Sequence, residues 1–465
     1  MNMTVKDRAD MGELDAFLEK HPEIKMIETL LPDVNGILRG KRIGRDEFET
    51  LYKKGLKQCA STPFVDSRGE MAVEIGIGTR DGDPDVMMYP VENTLAVVPW
   101  LDSPVAQVFT SLASFEGQRH FSDPRHVLRN VYERLQESGY SSVVATEFEF
   151  YLLEASSGPV PVAKLGSVPG TDLKQQGLQY STLEDLWEND AVLMDIHENC
   201  EQQNIPVTTA LSEFAPGQFE INLHHVKDPV LACDQGAMLK RIIKGTTFKH
   251  GLGASFMAKP FKDYAGSGLH IHCSLYDEQG ENVFADFNST SIPAVSETMR
   301  HAIGGLQQTM ADAMAIFAPN ANSYRRLQPF SFVPLCPNWG YNHRGVALRI
   351  PVCDNTNMRV EHRVASADAN PYLVMACLLA GIHYGISNKC EPTAMVEEGT
   401  MVDEHEISLP IRWEAALDRF NQSEILPQYL GDEFCRVLEI CRRSECDQFQ
   451  AEVSNLDYEW YLRSV

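Results

Sequence analysis

The chain is expected to fold as an α+β protein, with a small domain over residues 1–118 and a larger one over 119–465 built on an antiparallel sheet with flanking helices. Three observations predict this. A chain of 465 residues is long enough for a large core and a second domain. Residues 1–118 mix short strand and helix patterns with turn-rich stretches such as DSRGE and RDGDPD, whereas beyond residue 139 apolar strand-like segments alternate with longer amphipathic helices. Within those later strands, charged or metal-binding residues recur two positions apart, the period of one face of a strand.

The elements follow in order. Ser122-Asp123-Pro124 is a helix start, and the helical pattern runs to Gly139, a C-terminal stop. The segment VVATEFEFYLL then puts Glu147 and Glu149 on one strand face, ~7 Å apart, and Phe148 and Phe150 on the other. In SEFAPGQFEINL, Glu213 and Glu220 flank Pro216-Gly217, a turn that can fold one carboxylate back toward the other. In GSGLHIHCSL, His270 and His272 share a face, after glycines that permit close backbone approach to a ligand. MRVEHRVA adds Glu361 and Arg363. Asn370-Pro371 reads as an N-cap and first-turn proline for a buried core helix over Tyr372–Ile386, a run too short to span a bilayer. The acidic stretch Asn388–Pro410 reads as a surface loop.

Composition narrows the function. A net charge of −25 argues against nucleic acid and anionic membrane as partners. The eleven cysteines lack C-x-x-C or zinc-finger spacing and fit a reducing compartment. The N-terminus, rich in acidic residues and without an apolar stretch, is not a signal peptide, so a cytoplasmic location is expected.

Each charged pair taken alone fits the wet face of a strand or an ordinary loop. Together, five glutamates and a histidine converging from separate strands make a site for hard divalent metals, Mg²⁺ or Mn²⁺. Arginines in NSYRRLQP, NHRGVALRIP and MRVEHRVA add forked donors suited to carboxylate or phosphate.

The ordered set ATEFEF, EFAPGQFE, GSGLHIH, NSYRRLQP, NHRGVALRIP and RVEHR resembles the glutamine synthetase family and its γ-glutamylamine-forming relatives, over nearly the whole chain. The resemblance implies a β-grasp-like N-terminal domain, a curved catalytic sheet, and a homo-oligomeric hexameric ring, single or stacked as a dodecamer. It implies ATP as co-substrate and two or more metal ions per site. Glu149, Glu213 and Glu220 would hold one metal, and Glu147, His270 and Glu361 the other. His272, Ser274 and His225 would face the nucleotide, with Arg344 and Arg349 on its phosphates. Gly266, Arg326 and Arg363 would hold glutamate, and Glu213, Arg326 and Arg344 would act in catalysis.

The chain departs from the family pattern around the amine. Where ammonia-using members carry a glutamate after the SYxR motif, RLQPFSFVP places Phe332. Where they carry an ammonium-binding aspartate, supplied by the neighbouring subunit, CASTPF places Cys59. Losing two anionic groups disfavours NH₄⁺, and an apolar ring favours an amine with an organic body. The expected reaction joins the γ-carboxylate of glutamate to a primary amine larger than ammonia, a hydrophobic or aromatic monoamine ahead of a polyamine, with Phe332, Cys59 and Glu213 at the amine. Ala265 replaces an asparagine beside the amino acid, which opens the identity of the acid, and Ile407 stands where some relatives carry a regulatory tyrosine. The alternatives are ordinary glutamine synthesis, a polyamine ligase, a guanidino phosphotransferase and a non-catalytic ring protein.

Overall fold

A computed structural model of the chain describes residues 8–78, 80–177, 180–402 and 407–465. In the first part, β1 (Met26–Pro32), β2 (Leu38–Arg39), β3 (Arg42–Gly44), β4 (Leu56–Cys59), β5 (Asp85–Pro90), β6 (Ala96–Val97) and β7 (Val105–Ala113) form one sheet, ordered β2-β1-β7-β5-β4. β7 lies at its centre and is buried along its whole length. It pairs in parallel with β1 and antiparallel with β5.

The second sheet carries the polar doublets. Its strands are β8 (Ser141–Glu154), β9 (Val162–Ala163), β10 (Val207–Ser212), β11 (Gln218–Leu223), β12 (Gly253–Ser255), β13 (Leu269–Tyr276), β14 (Trp339–Tyr341), β15 (Leu348–Ile350) and β16 (Val360–His362). The order is β10-β11-β8-β13-β16-β15-β14, with β9 and β12 also on β8. The sheet is antiparallel except for β14–β15, a parallel pair that the expectation of an antiparallel sheet did not contain.

Sequence punctuation matches the element ends. Asp123 caps the helix Pro124–Glu137 by accepting from the Arg125 N–H, and Gly139 follows at φ 84°. Asn370 caps Pro371–Asn388 by accepting from the Tyr372 and Leu373 N–H groups, and its own side-chain amide donates to Asp33 O at 2.7 Å, tying this buried helix to the loop after β1. The largest apolar core draws on both parts, from Leu30, Phe64 and Phe109 to Phe148, Leu379 and Phe434. No helix is long and apolar enough to cross a membrane among the described residues. The acidic loop 388–410 is described apart from residues 403–406, which lie outside the described set; Ile407 is exposed.

Candidate active site

Strand alternation on β8 does what its sequence demands. Phe148 and Phe150 are fully buried beneath the sheet, so Glu147 and Glu149 must rise from the other face. The register then sets their neighbours. Glu149 lies opposite Glu220, and Glu147 lies opposite Asn222 on one side and His270 on the other. Two residues on, His272 lies opposite Glu361, which in turn lies opposite Arg349. Glu213 joins through the turn at Ala215–Gly217: Gly217 takes φ 73°, and the Glu213 N–H donates to Gln218 O at 2.8 Å.

These residues converge. Donor atoms of Glu149, Glu213 and Glu220 lie within 4.8 Å of one another, as do those of Glu147, Glu220 and His270, and those of Glu147, His272 and Glu361. The first set is the one the resemblance implies. The second differs from it: Glu361 groups with His272 rather than His270, and it already accepts from Arg349 Nη1 at 2.8 Å and from Arg363.

Charge in the cluster is unevenly relieved. Burial, then the carboxylates of Glu147, Glu149 and Glu213, pushes Glu220 up to about 9. Burial, then Glu149, pushes Glu213 up to about 7, against the Phe214 N–H and the charges of Arg344 and Arg363. Burial raises Glu147 too, but hydrogen bonds from His270 and His272 outweigh it and hold this carboxyl well below the usual range. Glu361 follows the same pattern, with Arg363 first among the charges that hold it near 2 against burial. Hard oxygen donors with two imidazoles, crowded enough to raise two carboxyl pKa values, fit divalent cations of the Mg²⁺ or Mn²⁺ class.

The glycine loop closes one side. A Cβ on Gly266 would meet Arg326 Cγ at 2.6 Å and Ala258 O at 2.7 Å, and one on Gly268 would meet Arg326 Nη2 at 2.7 Å. Only glycine lets the buried Arg326 reach this place, where its Nη1 donates to Val364 O at 2.8 Å. The Gly268 N–H donates to Glu149 at 2.6 Å, and Tyr151 Oη donates to Ala265 O at 2.7 Å. Arg363, also buried, stands beside Glu361, whereas Arg344 is exposed and close enough to act on Glu213.

On the other side, His272, Ser274 and the exposed His225 line a cavity of about 330 Å³ whose wall also includes Glu147. The Ser274 hydroxyl donates to Met358 O at 3.0 Å, and His272 Nε2 lies 3.0 Å from Glu147. Phe332 is 65% exposed, so it is not core packing; its ring stands 6.2 Å from that of Phe214, the residue next to Glu213. Cys59 is not part of this cluster. It ends β4 at the exposed edge of the first sheet, where burial and Asp83 raise its thiol.

Sequence reading left three of the following residues unassigned and reached Arg359 only as one of the clustered arginines. Asn222 donates to Glu147 at 2.9 Å, Arg359 Nε lies 3.4 Å from His272 Nδ1, and Tyr180 stands 6.5 Å from Phe214, which itself went unassigned. Asn222 had a signal, since it lies two residues beyond Glu220 on the same strand face. Tyr180 had none, because only the tertiary fold brings it near.

Residues 121–461 match the family model of the glutamine synthetase catalytic domain. The chain is 38% identical to γ-glutamylputrescine synthetase PuuA of Escherichia coli (strain K12), over 97% of this chain and 95% of the relative. It is 30% identical to a glutamate–isopropylamine ligase of a Pseudomonas species, over 99% of each. It is also 30% identical to γ-glutamylethanolamide synthetase GlnA4 of Streptomyces coelicolor, over 95% of this chain and 92% of that one. Solved structures described as apo GmaS and a GmaS–ADP complex share the fold, with TM-scores of 0.82 and 0.83 over 97% of this chain and 100% of theirs, at 23% and 24% identity. The chain belongs to the glutamine synthetase family, whose ligases use ATP and divalent metals. Within it, the chain falls in the γ-glutamylamine synthetase branch and is a glutamate–amine ligase.

Proposed function

We propose that the enzyme joins the γ-carboxylate of glutamate to a primary amine larger than ammonia, through γ-glutamyl phosphate, with a hydrophobic or aromatic monoamine favoured over a polyamine. The observation that carries this reading is the aromatic approach to Glu213: Tyr180, Phe214 and Phe332 follow one another at ring spacings of 6.5 and 6.2 Å, beside a carboxyl pushed up to about 7. Such walls bury an organic tail, while Glu213 receives the ammonium end.

A carboxylate is a poor acyl donor, since attack on it must expel oxide from an anion. Phosphoryl transfer from ATP to the glutamate side chain gives an acyl phosphate. The amine nitrogen then forms the new C–N bond as phosphate leaves. In this reading Arg326 and Arg363, with the Gly266 backbone, hold glutamate. His272, Ser274 and His225 face the nucleotide, and Arg344 and Arg349 face its phosphates. Glu147, Glu149, Glu213, Glu220, His270 and Glu361 would hold two or more Mg²⁺ or Mn²⁺ ions, which supply charge neutralisation for the transferring phosphoryl group. Glu213 takes a proton from the ammonium, so that the nitrogen attacks as the free amine.

The same reading places Cys59 at a neighbouring subunit's amine site in a hexameric ring, single or stacked, within the cytoplasm. It divides the chain into 1–118 and 119–465, a boundary supported by the family match beginning at residue 121. A short diamine is the second reading, favoured by the 38% identity to a γ-glutamylputrescine synthetase. Glutamate- and ATP-dependent phosphate release across ammonia, alkylamines, arylalkylamines, putrescine and spermidine tests both. Alkyl- or arylalkylamines should give the highest kcat/KM. Putrescine ahead of them would reject the apolar tail, and ammonia ahead of all would remove Phe332 from the amine site.

A further inference from the structure

A second cavity, of about 980 Å³, lies on the phenylalanine side of β8, and no residue of the carboxylate cluster lines it. Its wall includes Phe256, whose ring stacks on that of Phe150 at 5.5 Å, and Lys240, whose Nζ lies 5.7 Å from the Phe148 ring. The loop after β1, the helix Pro229–Lys249, the segment 319–325 and the helix Asp432–Ala451 complete it.

Its charge runs against that of the molecule. In a chain of net charge −25, five cationic side chains line this cavity against two acids, Asp368 and Glu445. Both acids already have partners, most of them in the same wall. Glu445 accepts from the Ser67 hydroxyl and pairs with Arg442, and Asp368 accepts from Asn320 and Ser323. Of the cations, Arg241 is paired with Glu28. Lys240 donates to Ala367 O at 2.8 Å, and burial, then the charge of Lys244, brings it down to about 7 against the charge of Asp368. Lys244, 5.7 Å from the Phe256 ring, and Arg325, 5.6 Å from that of Phe449, have no acidic partner among the described residues.

Unpaired cations above aromatic faces call for an anion with a flat or apolar body.

We propose that this cavity is a second ligand site, which takes an organic anion, carboxylate or phosphate, carrying an aromatic or apolar body. Trp100 and Trp413 line it and report on it. The test is quenching of tryptophan fluorescence in the full-length protein, with the active site occupied by excess ADP, glutamate and Mg²⁺. The probes are 3-phenylpropionate, phenyl phosphate and neutral 3-phenylpropanamide, excited at the red edge of tryptophan absorption, where phenyl compounds are transparent. The anions should bind at least about tenfold more tightly than the amide, and whichever anion binds better identifies the source chemistry. Lys244→Glu, at an exposed rim position, should abolish that preference and leave amine ligation unchanged, and Trp413→Phe should remove part of the signal. Equal binding of acid and amide, no quenching, or an unchanged preference in Lys244→Glu would overturn the proposal.

Discussion

The two faces of β8 are built from alternate residues of one strand, yet they answer to opposite physics. Phe148 and Phe150, with Phe219 and Phe256 around them, are sealed from solvent and have their partners already. Glu147 and Glu149 face a cluster in which two further carboxyls, Glu213 and Glu220, are held up to about 7 and 9 because burial and mutual repulsion disfavour their charge. One face is stable as folded; the other holds repelling charges that cations relieve. Stability and chemistry are therefore separated by a single residue along the chain.

The largest effects should fall on opposite readouts. Phe148→Ala should cost about 3–5 kcal/mol of stability through loss of buried area and the cavity left behind. Glu149→Gln keeps an acceptor for the Gly268 N–H but removes a charge, so activity should fall about 10²–10³-fold. In EDTA the Gln variant should melt no lower than the parent, because it relieves Glu213 and Glu220. Melting curves and phosphate-release rates read both, and a comparable stability loss in the two variants would break the division between the faces.

The pH response of the metal-free protein sharpens it. A carboxyl whose folded pKa is raised supports folding fully below its unfolded value, near 4.5, and loses that contribution as pH rises through the folded one. For Glu213 and Glu220 the loss runs from about pH 5 through 7 and on to 9. In EDTA, stability should fall across that window by an amount on the order of 1–3 kcal/mol. Mg²⁺ or Mn²⁺ should raise the melting temperature more at pH 8.5 than at pH 5.5. A cation effect independent of pH would place the binding elsewhere.

Asn222 tests how firmly the acid face is held. Its side-chain N–H donates to Glu147, and its side-chain oxygen is buried without a donor among the described residues. Asn222→Ala should weaken cation affinity about tenfold, read by titrating activity against Mn²⁺, with little change at saturating metal.

How much of this was legible in the sequence depends on the range of the interaction. Strand alternation and capping are local, so the helix starts at Asp123 and Asn370 and the two faces of β8 could be read directly. The approach of Glu149 to Glu220 and of Glu147 to His270 is a matter of register between strands distant in the chain, and the motif order of the family carried it. Strand spacing put Arg363 beside Glu361, but neither source reached its second arginine partner. Its pairing with Arg349 rests on β15 lying beside β16, and the parallel β14–β15 pair went unforeseen for the same reason. The aromatic approach through Tyr180 joins three separate segments and the second cavity joins more, and such surfaces leave no local trace.

The smallest effect concerns Phe332, which shares features with neither face of β8. It is exposed, and its backbone sits at φ 54°, with Phe330 two residues earlier at φ 59°. A bulky residue in the left-handed region costs roughly 1 kcal/mol or more, a strain that glycine does not carry. Packing does little to repay it here, because the side chain is 65% exposed and its ring partner, Phe214, stands 6.2 Å away. Strain kept without burial is what a ligand-contacting position shows. Phe332→Gly should leave the melting temperature unchanged or slightly higher, while losing about 1 kcal/mol of contact with an amine tail, roughly fivefold in the KM of an arylalkylamine. Ammonia, with no tail to lose, should keep its KM. A lower melting temperature with uniform KM values across the amine panel would return Phe332 to a structural role and leave the aromatic approach to Glu213 resting on Phe214 and Tyr180.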